Sequence, residues 1–157
     1  MIPAPLDVRL ATEADAVEVG RLLHDFNIEF DTPTPGPDVL AARLATLLGS
    51  ATTFAILAGR PAVALALVTL RTNVWYDGPV ALLDELYVEP PLRSRGIGSA
   101  VMKFMVAHAP RLGVDLIEIN VDEGDVDAQR FYLRHRFTDT QPTTQERAFY
   151  FYRELST

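Results

Sequence analysis

Apolar and polar positions along the chain change period several times, and each change marks an element. DVRLA alternates apolar and polar residues, which predicts a first strand. Thr12 with Asp15 forms a helix N-cap region. Beyond it Val17, Leu22, Leu23, Phe26 and Phe30 fall on one helical face, while Glu18, Arg21, Asp25 and Glu29 fall elsewhere. DTPTPGPD then interrupts the pattern, because proline lacks the amide donor and biases the residue before it away from helix. Helical spacing resumes from Val39 to Leu48 and stops at Gly49, a suitable C-cap.

Strand signals follow. TFAILAGRPAVALALVTLR and GPVALLDELYV are rich in Val, Leu and Ala, with Gly59-Arg60-Pro61 as a turn, and three successive antiparallel strands account for them. Ile97 to Ala109 reads as a helix, VDLIEINV as a strand, Val126 to His135 as a second helix and RAFYFYREL as a last strand. The order is β-α-α-β-β-β-α-β-α-β. The strand, helix, strand unit in the second half predicts an α/β fold whose mixed sheet carries helices on both faces. No repeat or long linker divides the chain, so residues 1–157 are expected to form a single domain.

Composition narrows the chemistry. Hydrophobic residues make up 48% and charged residues 22% of the 157, which is the balance of an ordinary globular domain. The chain has no cysteine, which removes disulfides, thiolate-held zinc and a cysteine nucleophile together. A formal charge of -7 disfavours a nucleic-acid partner, since such interfaces depend on clustered Lys and Arg, and its field attracts cations. MIPAPLDVRL lacks a basic stretch followed by an apolar core, and no run approaches the roughly 18 apolar residues of a membrane span. The expectation is a cytoplasmic protein without a membrane partner. His24, His108 and His135 are scattered without ligand spacing, so no metal is expected.

One stretch stands apart. In LYVEPPLRSRGIGSAVM a strand stops at two prolines, and Arg93-Ser94-Arg95-Gly96-Ile97-Gly98-Ser99 leads into an apolar helix. A helix N-terminus offers about four amides without intrahelical partners and a partial positive charge, and glycines let an anion approach. Guanidinium groups at Arg93 and Arg95 suit phosphate. From the loop alone, a phosphate site and an ordinary glycine turn with solvated arginines stand level. A P-loop is excluded because the loop holds no lysine, and a dinucleotide fingerprint because Val101 stands where a third small residue is needed.

That stretch resembles the acyl-CoA-binding core of the GNAT superfamily of N-acetyltransferases, with its strand, proline and Arg/Gln-x-x-Gly-x-Gly/Ala loop. DVDAQRFYLRHRF is similar to the family's second hallmark: Ala128, Phe131, Tyr132 and Phe137 match, whereas Asp125 stands where Asn is usual and Arg136 where Gly is usual. The resemblance implies a mostly antiparallel central sheet with a splayed parallel strand pair. It implies acetyl-CoA as cosubstrate, its pyrophosphate held by Arg93, Ser94, Arg95, Gly96, Ile97, Gly98 and Ser99. Backbone amides near Leu86, Tyr87 and Val88 would take the thioester and pantetheine arm, with Asp125, Ala128 and Phe131 also at the coenzyme. Homodimerisation is common in the family, so a homodimer is expected.

Moving an acetyl group to an amine requires phosphate capture, a neutral amine and a protonated leaving thiolate. Asp84 and Glu85 are the candidates for deprotonation, and strict alternation sends their side chains to opposite faces unless a bulge re-aims one. The acidic pair resembles that of spermidine/spermine acetyltransferases, in reversed order, which implies Asp84 as base and Glu85 as ammonium anchor. Tyr132 is the acid the family implies. Asp25, Glu29 and Asp31 sit where such folds border the acceptor cleft and read as a solvated face in preference to a polyamine-attracting one, and Trp75 and Tyr76 wall the cleft or cover core. The expected acceptor is a small primary amine, with protein amines and aminoglycosides as alternatives. A noncatalytic acyl-CoA sensor is the competing class.

Overall fold

A computed structural model describes residues 5–156; residues 1–4, part of the opening stretch read for a leader, and residue 157 lie outside them. The chain divides into two compact units, Met1–Ile119 and Asn120–Thr157.

The first unit holds a five-stranded sheet in sequence order: β1 (Val8–Leu10), β2 (Thr53–Ala58), β3 (Ala64–Arg71), β4 (Val80–Val88) and β5 (Ile117–Glu118). β1 to β4 pair antiparallel, and β4 and β5 pair parallel. Helices α1 (Ala16–Glu29) and α2 (Pro37–Leu48) precede β2, and α3 (Ile97–His108) joins β4 to β5. The expected mixed α/β sheet is therefore present. α1 follows a short turn in which the Thr12 amide donates to the Asp15 carboxylate at 2.8 Å. α2 starts at Pro37, two residues before the expected Val39, because proline at the first helical position forgoes a hydrogen bond the helix lacks anyway.

Alternation along β2 and β3 gives each face of the sheet its own helices. Ala55, Leu57, Leu65 and Tyr87 form one core with Val19, Leu22 and Leu23 of α1 and Leu44 of α2. On the other face Phe54 meets His108 of α3 edge-on, ring centroids 5.3 Å apart, and Val101, Met102 and Met105 are buried. The helical face read from sequence runs too far at both ends, for Val17 is 74% and Phe30 55% exposed. At one point two backbones nearly touch: a Cβ added to Gly78, just before β4, would collide with the Gly113 carbonyl oxygen, just before β5.

In the second unit α4 (Val126–Arg134) ends in a Schellman motif. The amide of Phe137 donates to the Tyr132 carbonyl at 3.0 Å and that of Arg136 to Leu133 at 3.1 Å, with Arg136 at φ +67°. The expected last strand is absent: residues 148–156 form no strand, and Phe149, Tyr150, Phe151 and Tyr152 are exposed. Their aromatic content favours strand, but among the described residues none pairs with them beyond the single bridge of Thr140 to Arg147. VDLIEINV likewise yields a strand of two residues only.

Candidate active site

β4 carries the irregularity on which the site turns. Leu67 of β3 pairs with Glu85 and Val68 with Leu83, so Asp84 is an extra residue on β4, a β-bulge. Leu67 packs against the α1/α2 core, and its partner Glu85 shares that face. Val68 and its partner Leu83 are buried on the other. Thr69 returns to the α1/α2 side, and its hydroxyl donates to the Asp84 carboxylate. The bulge thus brings Asp84 and Glu85 to one face, where strict alternation would separate them. Thr69, a polar interruption in the apolar strand ALALVTLR, escaped the sequence reading although that interruption was the available signal.

Burial and the neighbouring Asp84 charge together push the Glu85 carboxyl up to about 7. Asp84 is raised by burial as well, opposed by its hydrogen bond from Thr69. A carboxylate near 7 is half ionised at neutral pH, the condition in which a group can both accept and release a proton. Asp84, the more exposed, stands beside it as a second negative charge.

The strand is also open along one edge. Parallel pairing stops at Leu82 opposite Glu118, and β4 runs on to Val88. Ala81 donates to Leu116 on the β5 side, while Glu89 donates to Val63 on the β3 side. In an antiparallel ladder the bonding direction alternates, so the amides of Leu86 and Val88 are turned away from β3, toward the edge that β5 leaves uncovered. The ring of Tyr87 is buried and stacks on Phe26 at 5.2 Å. Its hydroxyl pKa is raised by burial first and then by Glu29, Asp25 and Glu89, with Arg93 opposing.

The glycine loop follows a short turn at Pro90–Leu92. Ser94 has φ +61° and Gly96 φ +83°, and a Cβ built on Gly96 meets nothing within 4 Å, so the backbone there is approachable. The first intrahelical bond of α3 runs from the Ala100 amide to the Gly96 carbonyl. The amides of Ile97, Gly98 and Ser99 precede that bond and point out of the helix N-terminus. Arg95 is exposed. The Arg93 guanidinium instead makes a bidentate pair with Glu29 and donates to the Val88 carbonyl. These features fit a diphosphate: bare backbone, aligned amides and positive charge.

Four expected site residues lie in the second unit. Asp125 caps α4, its carboxylate accepting from the Ala128 amide at 3.0 Å. Tyr132 is buried, with Phe131 edge-on at 5.2 Å and Phe137 at 5.5 Å. Elsewhere, Trp75 and Tyr76 are exposed rather than core-covering. No group of three or more metal-binding side chains occurs among the described residues.

Residues 20–137, which include both the bulged strand and α4, match the model of the acetyltransferase (GNAT) family. The chain belongs to the GNAT family of acetyltransferases. A crystal structure of a protein from Arthrobacter sp. FB24, assigned as an acetyltransferase, is 48% identical, with a TM-score of 0.90 over 99% of both chains. The aminoglycoside N-acetyltransferase AAC(6')-Iy, solved with CoA, superposes with a TM-score of 0.78 over 99% of this chain and 100% of its own. At 18% identity it shares the fold. An aminoalkylphosphonate N-acetyltransferase of Salmonella typhimurium is 36% identical over 55 residues, which span 35% of this chain and 36% of that protein. This GNAT protein is accordingly an acetyltransferase by family.

Proposed function

We propose that this enzyme transfers the acetyl group of acetyl-CoA directly to a primary amine of a small, cationic molecule, with Glu85 as the proton acceptor. The observation that carries the reading is the bulge at Asp84, which sets two carboxylates on one face, where burial first and the Asp84 charge second raise the Glu85 carboxyl to about 7. An alkylammonium is mostly protonated at pH 7 and cannot attack until it loses a proton. Glu85 takes that proton, directly or through water, while Asp84 attracts the ammonium. The freed amine attacks the thioester carbonyl, the C–N bond forms as the C–S bond breaks, and the proton the nitrogen sheds in becoming an amide balances the one the departing sulfur gains to leave as the free thiol. The roles of the two acids are thus the reverse of those the spermidine/spermine resemblance implies.

Leu86 and Val88 supply amide donors along the open edge, and amides from Ser94 to Ser99 hold the diphosphate. Tyr132 as the acid that protonates the thiolate rests on its motif position alone. The acidic composition and the carboxylate pair favour a cationic acceptor such as a polyamine or an aminoglycoside over an aminoalkylphosphonate, whose own anion they repel.

Because the chain lacks cysteine, release of free coenzyme A is measured with a thiol reagent free of protein background. With acetyl-CoA and a panel of polyamines, aminoglycosides, aminoalkylphosphonates and lysine peptides, the expected result is turnover fastest on the polycations. Coenzyme binding without thiol release on any amine would establish a sensor instead.

A further inference from the structure

Arg93 is the first arginine of the glycine loop, and the resemblance counts it among the residues that hold the coenzyme. Its guanidinium is committed elsewhere. Nη1 and Nη2 donate to separate oxygens of Glu29, each at 2.7 Å, and Nε donates to the Val88 carbonyl at 2.9 Å. All three nitrogens of the planar fork therefore serve protein acceptors. The guanidinium carbon lies 5.7 Å from the centroid of the Tyr87 ring. Tyr87 stacks on Phe26, and Phe26 meets Phe30 edge-on at 5.3 Å.

Phe26, Glu29 and Phe30 stand at i, i+3 and i+4, so they share one side of the final turn of α1. That turn grips the end of β4 and the first residue of the loop together. The backbone it restrains is not one the chain adopts readily, since Ser94, a non-glycine residue, takes φ +61° directly after Arg93.

We propose that Arg93 is a positioning residue and not a phosphate ligand: clamped on Glu29 and Val88, it holds the loop in the bend that presents the amides from Ser94 to Ser99 to the coenzyme. The inference rests on the reading of this loop as the diphosphate site. It takes the Arg93 charge out of the ligand set and gives Glu29, on the far side of the sequence, a part in building the site. Arg95 is left as the loop's solvent-facing cation.

Calorimetry with coenzyme A on the full chain and on Glu29→Gln, Arg93→Gln, Arg93→Lys and the Glu29→Gln/Arg93→Gln double variant distinguishes the two roles. A clamp predicts that Glu29→Gln weakens binding about fivefold although it removes a negative charge near an anion site. Arg93→Gln costs the same, the double variant is no worse than either single one, and Arg93→Lys recovers part of the loss. The KM for acetyl-CoA rises while kcat at saturation holds. In the free protein, the amides from Ser94 to Ser99 exchange faster in both single variants than in the wild type. A phosphate ligand predicts the opposite sign, because Glu29→Gln would release the guanidinium and tighten binding; that result overturns the clamp, as does strict additivity in the double variant. Wild-type protein that binds no coenzyme A refutes the reading of the loop itself. Unchanged loop exchange in Glu29→Gln refutes the clamp whether or not the coenzyme binds.

Discussion

Glu85 owes its pKa of about 7 to two separable causes, and substitution separates them. Desolvation is the larger and stays when Asp84 is neutralised; the Asp84 charge is the smaller and goes. Since a base works only when ionised, kcat/KM at saturating acetyl-CoA is expected to rise with pH through a limb near 7. Asp84→Asn should move that limb to lower pH without abolishing it. Glu85→Gln should lower kcat/KM by about 10²-fold or more and remove the limb. A limb that moves upward in Asp84→Asn, or survives in Glu85→Gln, assigns the base elsewhere. None of this was available from the dipeptide itself, because whether adjacent acids share a face depends on how many residues β3 sets against β4.

The elements were largely legible because their periods are local. α3 begins at Ile97 and α4 at Val126, as the apolar spacing of each predicts. What depends on a distant partner was not: the aromatic tail has strand composition but no strand to pair with among the described residues, and Arg93 finds Glu29 across 64 positions of sequence. The departure at Arg136 became intelligible only as geometry. Glycine is usual there because the residue after the C-cap of α4 takes a positive φ, and Arg136 adopts it at +67° regardless. Restoring glycine relieves a left-handed side chain, so Arg136→Gly should stabilise the protein by about 0.5–1 kcal/mol, net of the greater freedom of the unfolded chain. Urea denaturation measures it, and a destabilised variant would show that the arginine side chain contributes more than its backbone costs.

At the scale of the whole molecule the same carboxyl that serves the proposed chemistry works against folding. The folded-state pKa of Glu85, about 7, lies above its ordinary 4.5, so the folded chain holds a proton that the unfolded chain releases. Stability therefore falls as pH rises from about 4.5 to about 7, and the deficit is complete above that range. Glu85→Gln should raise stability at pH 8 by about 1–2 kcal/mol after allowance for solvent screening, a gain of roughly 2–6 °C in Tm. At pH 4 the difference should vanish; an equal gain at both values would mean that packing, not ionisation, is responsible. The contact of Gly78 with the Gly113 backbone bears on the whole architecture in another way. β4 and β5 act like the blades of shears whose rivet is that bare crossing: any side chain at position 78 would prise the narrow end apart, and the gap beyond Leu82, where the blades no longer pair, would be set anew.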